Sequence, residues 1–262
     1  MLLVSACGGD GSTGPTIDGR PIHAVTLDNR LLLFGSEDPG TIVEEALISG
    51  LPAADRIVAL DFRPADGLLY GVGTDSRLYV VDPETAEATP VGTGAFAVAV
   101  DGEHFGLDFN PTVDRLRTAS VESEQNLRLN PADGSLVAED VAYAFALGDV
   151  NEGANPAIGG LAYTNSVASA VVTVLYGIDS NNDVLVTLPN PNNGQLVTIG
   201  PLGVNTVPCI GFDIDPSDGT AFASLADAGV SSLYTVDLAT GAATLVGVIA
   251  VDSEVQGMAV EP

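Results

Sequence analysis

Apolar and polar positions alternate most clearly over residues 57–92, IVALDFRPADGLLYGVGTDSRLYVVDPETAEATPVG. Ile57–Phe62, Leu68–Val72, Leu78–Val81 and Ala88–Val91 are strand-length runs built on side chains that fit a pleated surface. Turn chemistry separates them: Arg63-Pro64-Ala65-Asp66-Gly67, Thr74-Asp75-Ser76 and Asp82-Pro83-Glu84-Thr85. Proline presets φ and glycine accepts a positive φ, so the unit reads as an up-and-down meander of four strands. Such a sheet cannot bury both faces alone, and similar units must stack on it.

The first strand of the unit recurs as HFGLDF (104–109), IGGLAY (158–163), CIGFDI (209–214) and VQGMAV (255–260). With Asp61, Asp108, Ala162, Asp213 and Ala259 as equivalents, the steps are 47, 54, 51 and 46 residues. The turn between third and fourth strands recurs too, as Asn130–Gly134, Asn190–Gly194 and Asp237–Gly241. Four strands in a period of this size predict a β-propeller. From His23 the chain matches the unit only from its second strand onward, while the C-terminal copy supplies a first strand and stops. The two partial copies complement each other. The expected architecture is therefore all-β, with five four-stranded blades and a ring closed by strand 255–260 pairing with the N-terminal blade.

Residues 1–21 lie outside the repeat. Val4-Ser5-Ala6-Cys7 resembles the bacterial lipoprotein processing signal, and the Gly/Ser/Thr-rich stretch behind it reads as a tether. Six residues ahead of Cys7 are too few for a complete signal, so the expectation is a truncated one. Gly8 after the cysteine is similar to lipoproteins sorted to the outer membrane. The expected organisation is a truncated lipoprotein signal and tether over 1–21 and one propeller over 22–262. The expected location is the bacterial cell envelope, at the outer membrane, with membrane contact through a lipid on Cys7. No apolar run reaches the ~18 residues that a spanning helix needs. Once Cys7 is acylated, Cys209 has no partner for a disulfide and reads as a buried, inert thiol.

Charge narrows the partners. Against 35 Asp and Glu stand 8 basic residues, all Arg, for a formal net charge of −27. Such a domain repels nucleic acid and anionic lipid. The acids are spread through the turns, as on a solvated surface, and a monomer is expected.

Long segments carry a family resemblance: GLDFNPTVDRLR (106–117), NLRLNPADG (126–134), GANPAIGGLAYTNS (153–166), LYGIDSNNDVLVTLPNPNNGQLVTIGPLGV (175–204) and IGFDIDP (210–216). Together they resemble the bacterial domain-of-unknown-function 4394 family, from His23 to Pro262. The resemblance implies an extracytoplasmic, propeller-like domain and lends no catalytic residues. The absence of Trp sets the chain apart from WD-repeat propellers.

Candidate chemistry is sparse. There is no G-x-S-x-G elbow, and His23 and His104 have no sequence-linked Ser or Cys. Asp179, Asn181 and Asp183 present oxygen donors at alternate positions, like the start of a calcium loop. Val184 stands where that loop needs glycine, no Glu follows at the twelfth position, and a hairpin turn selects the same residues. Calcium at this turn is the one cofactor considered, and none is otherwise expected. Asp61, Asp108 and Asp213 share one inner-strand position in three blades, where they could converge on the channel as metal ligands. Ala162 and Ala259 break that ring. This favours a local role, as acceptors for the Pro-x-Asp-Gly turn that follows.

Arg115, Arg117 and Arg128 crowd the third blade. The first two share a face, and the intervening hairpin sets Arg128 opposite Arg117. Opposed like charges destabilise a sheet, so something negative must sit among them. It is either an internal carboxylate (Asp108, Asp114 or one from a neighbouring blade) or a small anionic ligand held by Arg115, Arg117, Asn126 and Arg128. Three functions remain open: a non-catalytic envelope recognition or scaffold module, an envelope enzyme acting on a sugar or ester at the channel mouth, and a purely structural surface protein.

Overall fold

A computed structural model describes residues 15–262. The first blade holds β1 (Pro21–Thr26), β2 (Arg30–Gly35) and β3 (Asp38–Leu47). The second comprises β4 (Ile57–Phe62), β5 (Leu69–Gly73), β6 (Leu78–Val81) and β7 (Ala88–Val91), and the third β8 (Phe105–Asn110), β9 (Arg115–Ser120), β10 (Asn126–Leu129) and β11 (Leu136–Glu139). A two-residue strand, β12 (Ala144–Phe145), precedes the fourth blade: β13 (Ile158–Tyr163), β14 (Leu175–Asp179), β15 (Val184–Asn190) and β16 (Gln195–Pro201). The fifth contains β17 (Ile210–Ile214), β18 (Ala221–Asp227), β19 (Val230–Val236) and β20 (Ala243–Val248), and β21 (Val255–Val260) ends the chain's strands.

β21 enters the first blade, whose order is β21-β1-β2-β3. It pairs antiparallel with β1 through Ile22–Val260, His23–Ala259 and Ala24–Met258. The ring is thus the expected five-bladed propeller, closed by the C-terminal strand. Two details go beyond the repeat. β12 adds a short parallel strand to the outer edge of blade four. The sheet also takes up the chain ahead of β1, where Ser36 N–H donates to Arg20 C=O and Glu37 N–H to Asp18 C=O.

Burial runs from axis to rim. Every residue of β4, β13 and β21 is buried, whereas β11 and β20 are half-buried or exposed throughout. Alternation fails at the inner strands because both of their faces are covered by neighbouring blades. The apolar core is accordingly split into five layers, one at each blade interface. Val25 and Leu31 meet Ile57, Leu60 and Tyr79 between blades one and two, and Ile22 and Phe34 meet Phe222 and Leu233 at the seam. Each fully buried Leu, Ile or Phe contributes ~1.5–3 kcal/mol, so the interfaces rather than the individual sheets hold the ring.

The Pro-x-Asp-Gly turns look after themselves. Gly67, at φ +71°, donates to Arg63 C=O, and Asp66 accepts from Leu68 N–H at 3.1 Å. In the blade-five turn Gly219 N–H likewise donates to Asp215 C=O, and Asp218 accepts from Thr220 N–H at 2.8 Å.

Candidate functional site: the carboxylates on the propeller axis

The inner strands converge because each carries a small residue at the same place: Ala59, Gly106, Gly160, Gly211 and Gly257. A Cβ on Gly160 would lie 2.7 Å from Phe212 Cβ, and one on Gly106 2.9 Å from the Gly160 carbonyl carbon. Approach this close leaves an axial void of about 10 Å³ lined by Ala59, those four glycines and the residues beside them. That is roughly the space of a single water molecule.

Two residues further along each inner strand comes the ring Asp61, Asp108, Ala162, Asp213, Ala259. The structure corrects the expectation that these acids serve the following turn. The inner edge of each blade has N–H groups with no strand beside them, and an unpaired buried N–H is costly. Each Asp reaches into the next blade to accept one. Asp61 Oδ2 accepts from Phe109 N–H at 2.9 Å, and Asp213 Oδ2 from Val260 N–H at 2.7 Å. Asp108 receives the Tyr163 N–H in the same way. Where the preceding blade has Ala, the acid caps its own strand as well. Asp213 Oδ1 accepts from Ile214 N–H at 2.6 Å, and Asp61 draws on Phe62 N–H. Asp108 follows a blade that has Asp, so its own neighbour Phe109 is already served. Its Oδ1 is left without a partner.

The three carboxyls can each offer an oxygen within 4.8 Å of the others, the one such acidic group among the described residues. Burial holds Asp61 and Asp108 well above the usual carboxylate range, with repulsion from Asp213, and for Asp108 also from Asp61, adding to it. Asp213 is pushed up to about 7, chiefly by burial and against the Val260 and Ile214 N–H groups.

The other sequence candidates lie elsewhere. Arg117 and Arg128 are directly opposed across β9 and β10, as the hairpin predicted. The anion between them is Asp140, which follows β11 and was not among the carboxylates expected. Arg128 grips it with Nε at 2.6 Å and Nη2 at 3.0 Å, and Arg117 Nη1 reaches it at 3.1 Å. Arg117 also donates to Asn126 Oδ1, Tyr163 Oη, Asn192 Oδ1 and Pro191 C=O. Arg115 donates to its neighbour Asp114 C=O at 2.6 Å. Asp114 itself holds Arg63 of the preceding blade at 2.5 and 2.8 Å.

At the turn of blade four, Asp179 Oδ1 accepts the N–H groups of Ala157 and Asn181, and Oδ2 accepts Asn182 Nδ2. Asn181 Nδ2 donates to Asn155 C=O, and Asp183 faces Thr206 N–H on another loop. Both histidines meet carboxylates. Buried His23 lies 3.4 Å from Glu261, and His104 2.6 Å from Glu122. Cys209 is buried, and desolvation pushes its thiol up to about 12. Cys7 lies outside the described residues.

Solved structures share the fold at low identity. A chain of a nidogen/laminin complex superposes with a TM-score of 0.52 at 12% identity, covering 93% of this chain and 99% of that one. A structural-genomics protein of unknown function from Bacteroides thetaiotaomicron VPI-5482 gives 0.56 at 15%, covering 88% of this chain and 56% of its own. No curated protein matches the sequence significantly. The profile of the family described as "Domain of unknown function (DUF4394)" matches residues 30–259, and the chain belongs to that family.

Proposed function

We propose that this propeller is a non-catalytic recognition or scaffold module, held at the bacterial cell envelope by a lipid on Cys7. The closed axis is the observation that supports this reading. A void of about 10 Å³ on the axis admits no sugar or ester. Clefts of about 550 and 560 Å³, within the roughly 300–1,000 Å³ range of small-molecule sites, lie away from the axial acids, beside Tyr163 and Pro191 and beside Arg20 and Phe222. The acids that would serve as catalysts on the axis are 1–7% exposed. Recognition then falls to the loops and outer strands. The address rests on Val4-Ser5-Ala6-Cys7. A net charge of −27 keeps the propeller itself off an anionic bilayer, so a tether suits it better than direct surface contact.

The competing reading, an envelope enzyme, would use the raised carboxyls as acids. Incubating the full chain with panels of glycosides and esters separates the two. The expected result is saturable binding to an envelope glycan or peptide without turnover. Turnover that Asp61→Asn abolishes would replace the module with an enzyme. The anchor is tested separately, behind an intact signal. Wild type should take up labelled fatty acid and sediment with membranes, and Cys7→Ala should not.

A further inference from the structure

We propose that Asp61, Asp108 and Asp213 bind a divalent cation of the calcium type on the propeller axis, joining the inner strands of blades two, three and five. This is independent of the envelope role above.

The geometry comes first. Three oxygens within 4.8 Å of one another leave a centre within about 2.8 Å of each. Calcium–oxygen bonds are about 2.3–2.6 Å, so side-chain shifts of a few tenths of an ångström close the site. Magnesium demands near-ideal octahedral geometry and gives up its waters reluctantly, which suits carboxylates only 1–7% exposed less well. The donor set is all oxygen, with no His or Cys in the cluster, which suits a hard cation rather than zinc.

Asp108 Oδ1 is the independent sign. The residue is 1% exposed and this oxygen has no donor, although buried acceptors are nearly always satisfied. The vacancy follows from the order of acids around the ring. Asp61 has already taken Phe109 N–H, and Tyr163 N–H is the backbone group that Asp108 receives. Its remaining oxygen is the one left for the cluster.

Charge points the same way. Arg117 is the cross-strand partner of Asp108, yet its donors go to Asn126, Asp140, Tyr163, Asn192 and Pro191. Among the described residues the three acids are therefore compensated only by backbone N–H groups, and a buried carboxylate cluster needs a cation or protons. At Ala162 and Ala259 the ring has no competing side-chain ligand.

The test is a thermal melt of the full chain, stripped with a chelator and titrated with calcium or magnesium. At calcium a hundredfold above its Kd, the midpoint should rise by about 5–10 °C, with a smaller response to magnesium. Asp108→Asn and Asp61→Asn keep the shape and a carbonyl acceptor, and each should abolish the rise. A rise that persists in both variants would overturn the proposal. So would one lost with Asp183→Asn instead, since that would place the ion at the 179–183 turn. If neither Asn variant folds, calorimetry of the wild type and of Asp183→Asn decides, with one saturable calcium site per chain that survives Asp183→Asn in favour, and no saturable heat, or heat lost with Asp183→Asn, against.

Discussion

Arg117 shows how a charge can be buried in this fold, because its side chain is 3% exposed and every donor it uses ends on protein. Removing one member of a buried ion pair typically costs about 3–5 kcal/mol, since the partner is left uncompensated. Arg117→Met should therefore lower the denaturation midpoint strongly, and by the same amount with or without added sulfate. Sequence spacing set Arg117 against Arg128, because hairpin register is local. It could not supply Asp140 or Asn192, which reach the guanidinium only once loops from two blades meet. His23 carries a pH dependence. Burial lowers its pKa below 6.5, against the pull of Glu261 and Glu44, so the unfolded chain takes up the proton first. Its stabilisation is present above about pH 6.5 and is lost as pH falls through its folded value. The raised channel carboxyls act in the opposite sense, gaining stability as pH falls, so the comparison must be between variants. From pH 7 to 5 the wild-type midpoint should fall relative to that of His23→Gln, and parallel profiles would refute this.

At the level of elements, the inner strands were the most legible part of the chain. Ile57–Phe62, Ile158–Tyr163 and Val255–Val260 fall where the repeat placed them, since an apolar run around one small residue (Ala59, Gly160, Gly257) marks a common position. Their cross-blade hydrogen bonds were not legible. Whether Asp61 turns back to its own hairpin or forward to Phe109 depends on how closely two blades approach, and no spacing within one blade encodes that. β12 was missed for a related reason, as a two-residue strand leaves no pattern. The closing strand gives the sharpest element-scale expectation. β21 pairs with β1 and is flanked by β17 and β4. Deleting residues 255–262 should remove more than the ~5–15 kcal/mol by which domains are stable. No cooperative transition should then appear by circular dichroism, and a melt like that of the full chain would contradict the role assigned to the seam.

Across the whole molecule, the 35 acids and 8 arginines repel more than they attract. Self-repulsion of this kind is screened over a Debye length of ~10 Å at 0.1 M salt. Sodium chloride raised from a few millimolar to roughly 0.15 M should therefore lift the melting midpoint and then level off. A midpoint independent of salt would mean that local ion pairs, such as Arg63–Asp114, already neutralise the surface. Ring closure has a kinetic meaning as well. During synthesis the first blade emerges as three strands, and β1 must wait for some 230 further residues before its partner β21 exists. Through that interval β1 offers an open, apolar edge to any passing strand, and contacts this distant in sequence form slowly. The vulnerable species in the life of this chain is thus the propeller that still lacks β21, and whatever guards it must act before that strand docks.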